Sequence, residues 1–111
     1  MTTPILDQDV FDELAETMGD DFAAELVSTF LMEAPTMLAD LREAVQASDS
    51  DAYRRAAHSI KSNADVFGAT KLAEAARALE LGGLEETATE VPALQETFDQ
   101  TAATLGSLTD G

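Results

Sequence analysis

The stretch that decides the fold is "SDAYRRAAHSIKSNADVFGATKLAEAARALELGG", residues Ser50 to Gly83. Successive side chains of an α-helix point about 100° apart. With His58 set at zero, Tyr53, Ala56, Ile60, Ala64 and Phe67 fall within about 60° of the opposite pole. Arg54, Arg55, Lys61 and Ser62 fall within about 60° of His58 itself, and Asp51 and Asp65 within about 20°. One face is therefore apolar and the other polar. The pattern predicts a helix that begins near Ser48–Ser50, which offer caps, and ends at Gly68, where glycine adopts the left-handed conformation cheaply. A second helix follows over about Thr70 to Leu81. Leu72, Ala75, Ala76 and Leu79 face inward, and Gly82–Gly83 stops it before a polar loop.

Working outward, Phe22, Leu26, Phe30, Leu38, Leu41 and Val45 recur at helical spacing over about Asp20 to Ala47. Pro35 lies inside that run and predicts a kink rather than a domain boundary. Upstream, Asp7 is a plausible cap for a short helix to about Met18, with Val10, Phe11, Leu14 and Met18 as its apolar positions. Downstream, Glu90–Pro92 opens a last helix striped by Val91, Leu94, Phe98, Leu105 and Leu108. The predicted fold is all-α: an antiparallel four-helix bundle with a short N-terminal capping helix, a single domain over 1–111.

Composition narrows the function classes. The chain has 22 acidic and 6 basic residues, a formal net charge of −16. Such a surface repels nucleic acid and anionic lipid and favours a soluble monomer. Cysteine is absent, which excludes disulfides and thiol chemistry and argues against a Cys/His zinc site. One histidine and scattered carboxylates give no metal ligand set. No segment is long and apolar enough to span a bilayer, and "MTTPILDQDV" lacks the basic start and apolar core of a signal peptide, so the expected location is cytoplasmic. The start at Met1 favours a free-standing protein.

One feature departs from a uniformly acidic surface. Arg54, Arg55, Lys61 and Lys71, four of the six basic residues, share a short stretch with the sole histidine. An exposed neutral imidazole is nucleophilic near neutral pH and can accept a phosphoryl group. A lysine one turn on can offset the new negative charge. Ser62 is small enough to leave an approaching protein room. This geometry admits phosphoryl transfer without singling it out.

At these residues the chain resembles the histidine-containing phosphotransfer domains of two-component phosphorelays. The run "AHSIKSNADVFGATKLAEAARALE" carries the family's pattern in His58, Ile60, Lys61, Ser62, Gly68, Leu72 and Leu79–Glu80. The opening "MGDDFAAELVSTFLMEAP", Met18 to Pro35, is similar to the family's second helix, including its mid-helix proline. Together the likeness covers roughly residues 5 to 108. Two positions depart from it. Ser62 stands where glycine is commonest, and Asn63 where a small residue is commoner.

The resemblance implies a mechanism. His58 would accept a phosphoryl group on Nε2 from the aspartyl phosphate of one receiver domain and pass it to the aspartate of another. The partners would be receiver domains of hybrid histidine kinases and of response regulators, and the receiver would supply Mg²⁺. This chain would bind no cofactor, and lacking a Gly-rich phosphate loop it would be a carrier rather than an enzyme with its own nucleotide site. Lys61 would stabilise charge at the phosphoryl group. Docking would involve the face around His58 and the short first helix. Phe11 and Met18 are candidate exposed contacts, with ordinary core packing the competing reading. Arg54 and Arg55 are candidates for steering a receiver, with simple solvation the competing reading.

The alternative within the same pattern is the amino-terminal phosphoryl-accepting domain of a chemotaxis-type kinase, although no kinase domain follows before Gly111. An interaction-only module would not need both His58 and Lys61. An acyl-carrier-like module would need a modifiable serine. Asp49–Ser50, the one pair to consider, is followed by Asp51 instead of an apolar residue.

Overall fold

The computed structural model describes residues 4–109. Five helices follow in order: α1 (Gln8–Met18), α2 (Asp20–Ala47), α3 (Ser50–Phe67), α4 (Thr70–Thr87) and α5 (Val91–Thr109). A single 3₁₀ turn, Ala88–Glu90, joins the last two. No strand occurs among the described residues. α3 packs against α2 and α4, and α5 closes the ring by touching both α4 and α2. α1 lies across α2 and α3. The result is the antiparallel four-helix bundle with a short N-terminal helix that the periodicities predict.

The core follows from those periodicities. Tyr53, Ala56, Ile60, Ala64 and Phe67, the face of α3 opposite His58, are all buried. Leu41, Leu72, Leu79, Leu94 and Leu105 are fully buried from the other three long helices. The Phe30 ring lies 5.3 Å from that of Phe67 and 6.0 Å from that of Phe98, tying α2, α3 and α5 together. Tilted and edge-on ring pairs at such separations add to simple area burial.

Four local expectations need correction. Asp49, rather than a serine, caps α3: its carboxylate accepts from the Ala52 amide at 3.1 Å. A carboxylate is an equally good cap and also suits the positive end of the helix dipole. In α2, Phe22 is exposed, and Ala23, Val27, Phe30, Ala34, Leu38, Leu41 and Ala44 form the buried stripe. Leu108 is likewise exposed at the end of α5. The segment after Gly82–Gly83 is no loop. Gly83 breaks the helix (φ 80°, ψ 167°), but a further turn forms because Leu84 and Thr87 both bury. α2 itself runs through Pro35 as one element.

The geometry that matters for function is the α3–α4 hairpin. The chain reverses at Gly68, whose φ is +71°. The Gly68 and Ala69 amides donate to the Asp65 and Ala64 carbonyls, closing α3. The Gly68 carbonyl in turn accepts from the Asp7 amide at 2.6 Å, which anchors the start of α1 to the turn.

Candidate functional site

His58 stands at the middle of α3 on the polar face. Its side chain is 57% exposed, as its position opposite the apolar stripe requires. The hairpin brings α4 alongside, and Glu80 Oε2 lies 2.9 Å from His58 Nδ1. Glu80 is the more sheltered of the two, at 21% exposure. A carboxylate can only accept, so Nδ1 carries the proton in this bond. In the neutral ring the lone pair then falls on Nε2, the nitrogen facing away from Glu80. The site thus presents one nucleophilic nitrogen in a fixed tautomer on an exposed ring.

Lys61 lies one turn beyond, where helix neighbours have Cβ atoms about 5–6 Å apart. It has no ion-pair or hydrogen-bond partner among the described residues. With Val10, Asp65, Gly68, Ala73, Glu74 and Arg77 it lines a shallow groove where α3, α4 and α1 meet. Ser62 is exposed. Arg54 pairs with Asp51 at 3.4 Å, but both side chains are largely exposed and the pair is weak. Arg55 is exposed and points elsewhere, into the α2–α3 groove with Asp40, Glu43 and Asp49.

The two apolar docking candidates separate. Met18 is 48% exposed, whereas Phe11 is buried at 7% and belongs to the core. The roll of α1 on α2 and α3 sends Phe11 inward and leaves its neighbour Val10 half-buried at the groove beside Lys61. Val10 is therefore the α1 residue bordering the site. Arg77 was not singled out from the sequence, and Glu80 was only as part of the family pattern, not as a partner of His58. Glu80 and Arg77 reach the site only through the hairpin, and their signal lies in its register: 58 with 80 and 61 with 77 are equally spaced about the turn at 68–69. No group of three or more His, Asp or Glu side chains suited to a metal occurs among the described residues. None of the described buried side-chain polar atoms lacks a hydrogen-bond partner.

Comparison with known proteins agrees with this geometry. Residues 25–104 match the model of the Hpt domain family. The chain is 35% identical over 81 residues to the phosphorelay protein LuxU of Vibrio harveyi, covering 72% of this chain and 70% of that one. It is 34% identical over 71 residues to multistep phosphorelay regulator 1 of Schizosaccharomyces pombe. That match takes in 61% of this chain but spans only about a quarter (24%) of the length of the yeast relative. The crystal structure of histidine-containing phosphotransfer protein B (HptB) from Pseudomonas aeruginosa PAO1 superposes with a TM-score of 0.79 at 32% identity, over 98% of this chain and 94% of that one. Motif, bundle and relatives agree, and the chain belongs to the histidine-containing phosphotransfer (Hpt) domain family.

Proposed function

We propose that this chain, acting as a single domain over 1–111, is a phosphorelay intermediate. His58 accepts a phosphoryl group on Nε2 from the aspartyl phosphate of one receiver domain and passes it to the aspartate of another. The observation that carries this reading is the exposed His58 ring on an Hpt bundle, with Nδ1 engaged by Glu80 and Nε2 left for chemistry. Lys61 offsets the charge of the bound phosphoryl group, and Ser62 keeps the approach open. The receivers belong to hybrid histidine kinases and response regulators. They supply Mg²⁺ and most of the charge stabilisation, since phosphoryl transfer is chiefly a matter of positioning and electrostatics. The chain itself is a phosphohistidine carrier without a nucleotide site of its own. It works as a cytoplasmic monomer, consistent with its net charge of −16 and with the lack of any membrane-spanning helix among the described residues. Met18 and the groove bordered by Val10, Lys61 and Arg77 form part of the docking face, and Arg54 and Arg55 assist its encounter with acidic receivers. Two of the relatives above are named for phosphorelays and the third for histidine phosphotransfer, and the chemotaxis-type kinase domain is not favoured.

The test is transfer from a phosphorylated receiver in the presence of Mg²⁺. Wild type should acquire label that is lost in acid and kept in alkali, and His58→Gln should acquire none. Label persisting in His58→Gln, or no label on wild type across a range of receivers, would overturn the assignment.

A further inference from the structure

We propose that Met37, with Met32 beside it, is a reversible oxidation site on the α2 side of His58. A peroxide converts the thioethers to sulfoxides, and the polar oxygens weaken a receiver's hold on this face. The site itself follows from the α2–α3 seam, while its consequence for transfer rests on the phosphorelay reading.

Three observations carry it. The chain has no cysteine, so methionine is its most readily oxidised side chain. Met32 is 77% exposed and Met37 half-buried, and both line one groove between α2 and α3 with Glu33, Thr36, Ser59 and Asn63. Ser59 directly follows His58, and with Ser62 and Val66 it forms a ridge of α3 within about 100° of that residue. Val66 is 48% exposed. Apart from Glu33 this strip is uncharged, in a chain with 22 acidic and 6 basic residues. An uncharged strip beside the reacting ring is the part of the face that contact with a second protein can dry. Methionine also re-packs readily, which suits a surface that must meet two different receivers. The third observation concerns Asn63. Its Nδ2 donates to the Ser59 carbonyl at 2.8 Å and also to Met37 Sδ at 3.7 Å. A thioether is a weak acceptor. A sulfoxide oxygen is a strong one, so a donor is already in place for the oxidised form.

The chemistry balances with hydrogen peroxide as the oxidant. A sulfur lone pair attacks one peroxide oxygen and forms the S–O bond as the O–O bond breaks. The other oxygen leaves with the displaced electron pair and both protons, as water. Sulfur is oxidised and the peroxide reduced. The product is a polar, chiral side chain, and sulfoxide reductases return it to the thioether. The change falls on the surface and not on the core, because the adjoining Leu38 and Ile60 are buried and keep α2 against α3. His58 keeps its contact with Glu80 on the α4 side, away from the methionines. Oxidation therefore alters docking and spares the reactivity of the ring.

The experiment treats the full chain with hydrogen peroxide and reads four quantities. Peptide mass spectrometry locates each added oxygen, and ¹H–¹⁵N spectra follow the Asn63 side-chain amide. Phosphoramidate, a small phosphoryl donor, reports the reactivity of His58 without docking. A phosphorylated receiver with Mg²⁺ reports transfer that requires docking. Sulfoxides should form at Met32 and Met37, and the Asn63 amide signals should move. Transfer from the receiver should slow about tenfold, the effect of placing an unmatched polar group in a dried contact. Labelling by phosphoramidate should keep its rate, and a sulfoxide reductase should restore transfer. The double variant Met32→Leu/Met37→Leu, compared with itself before and after peroxide, should show no slowing. Circular dichroism controls for folding. An unoxidised Met37, an unmoved Asn63 amide, equal slowing in the double variant, or phosphoramidate labelling that falls as far as transfer overturns the proposal. Oxidised Met37 with a shifted Asn63 amide supports the site even where no receiver labels the untreated protein, a result that would count instead against the phosphorelay reading.

Discussion

Lys61 has no partner among the described residues and stands one turn from His58, so its ammonium is free to meet charge arriving at Nε2. At a partly exposed position that interaction is screened, and a single tenfold factor is the right scale. Lys61→Ala should slow receiver-to-His58 transfer roughly tenfold while shifting unfolding free energy by less than about 0.5 kcal/mol. Stopped-flow transfer and urea melts measure the two separately, and an unchanged rate would show that the charge is dispensable. The same scale shows what one sequence can and cannot disclose. The exposure of His58 was legible because it depends only on the angle between residues of one helix. The burial of Phe11 was not, because Val10, Phe11, Leu14 and Met18 leave α1 free to roll by a residue, and contacts with α2 and α3 decide the outcome. Glu80 was legible as part of a pattern but not as a partner of His58, since its contact crosses 22 positions and exists only in the folded hairpin.

The helices themselves were legible where apolar spacing ran for several turns, and less so where punctuation was brief. Gly82–Gly83 reads as a stop, and Gly83 does break α4. The turn that follows is too short to show periodicity, and it forms because Leu84 and Thr87 find the core. The Thr87 hydroxyl also donates to the Gly83 carbonyl at 2.6 Å, bracing the break. Gly68 and Gly83 both hold positive φ, yet their surroundings differ. A Cβ at Gly83 would meet nothing within 4 Å, whereas at Gly68 it would come within 2.7 Å of Val10 Cβ and 2.8 Å of the Asp7 carbonyl. Gly83→Ala should therefore cost only backbone strain, about 1–2 kcal/mol. Gly68→Ala adds a clash with the start of α1 and should cost about 3 kcal/mol or more. Urea denaturation of the two variants tests the ordering, and faster amide exchange at Asp7 and Val10 in Gly68→Ala would show that α1 has been pushed off the hairpin. Equal costs would mean that α1 contributes nothing at this junction.

Among the described residues no carboxylate is fully buried, and the interior holds one ionisable ring, that of Tyr53. Tyr53 is fully buried, and its hydroxyl shares a 2.7 Å hydrogen bond with Thr87, linking α3 to the turn beyond Gly83. Burial pushes this phenol above the usual tyrosine range, and the nearby Glu90 carboxylate adds to the rise, while the bond to Thr87 opposes it. The sign follows from linkage. A group whose pKa is higher in the folded state stabilises the fold below its unfolded value, and that stability is lost as pH climbs through the folded value. The unfolded value is about 10, so the loss belongs to the alkaline range. Tyr53→Phe removes the hydroxyl but leaves Thr87 its bond to Gly83, so no buried group is orphaned. Near neutral pH the variant should be less stable than wild type by about 1 kcal/mol, the usual net worth of such a bond. Above about pH 10 the gap should close and then reverse, because only wild type must ionise a buried ring inside a chain already at −16. Urea midpoints of both proteins across the alkaline range measure the gap directly. A gap that stays constant with pH would mean that Tyr53 reaches solvent before it ionises and that the interior of the bundle opens more readily than its packing implies.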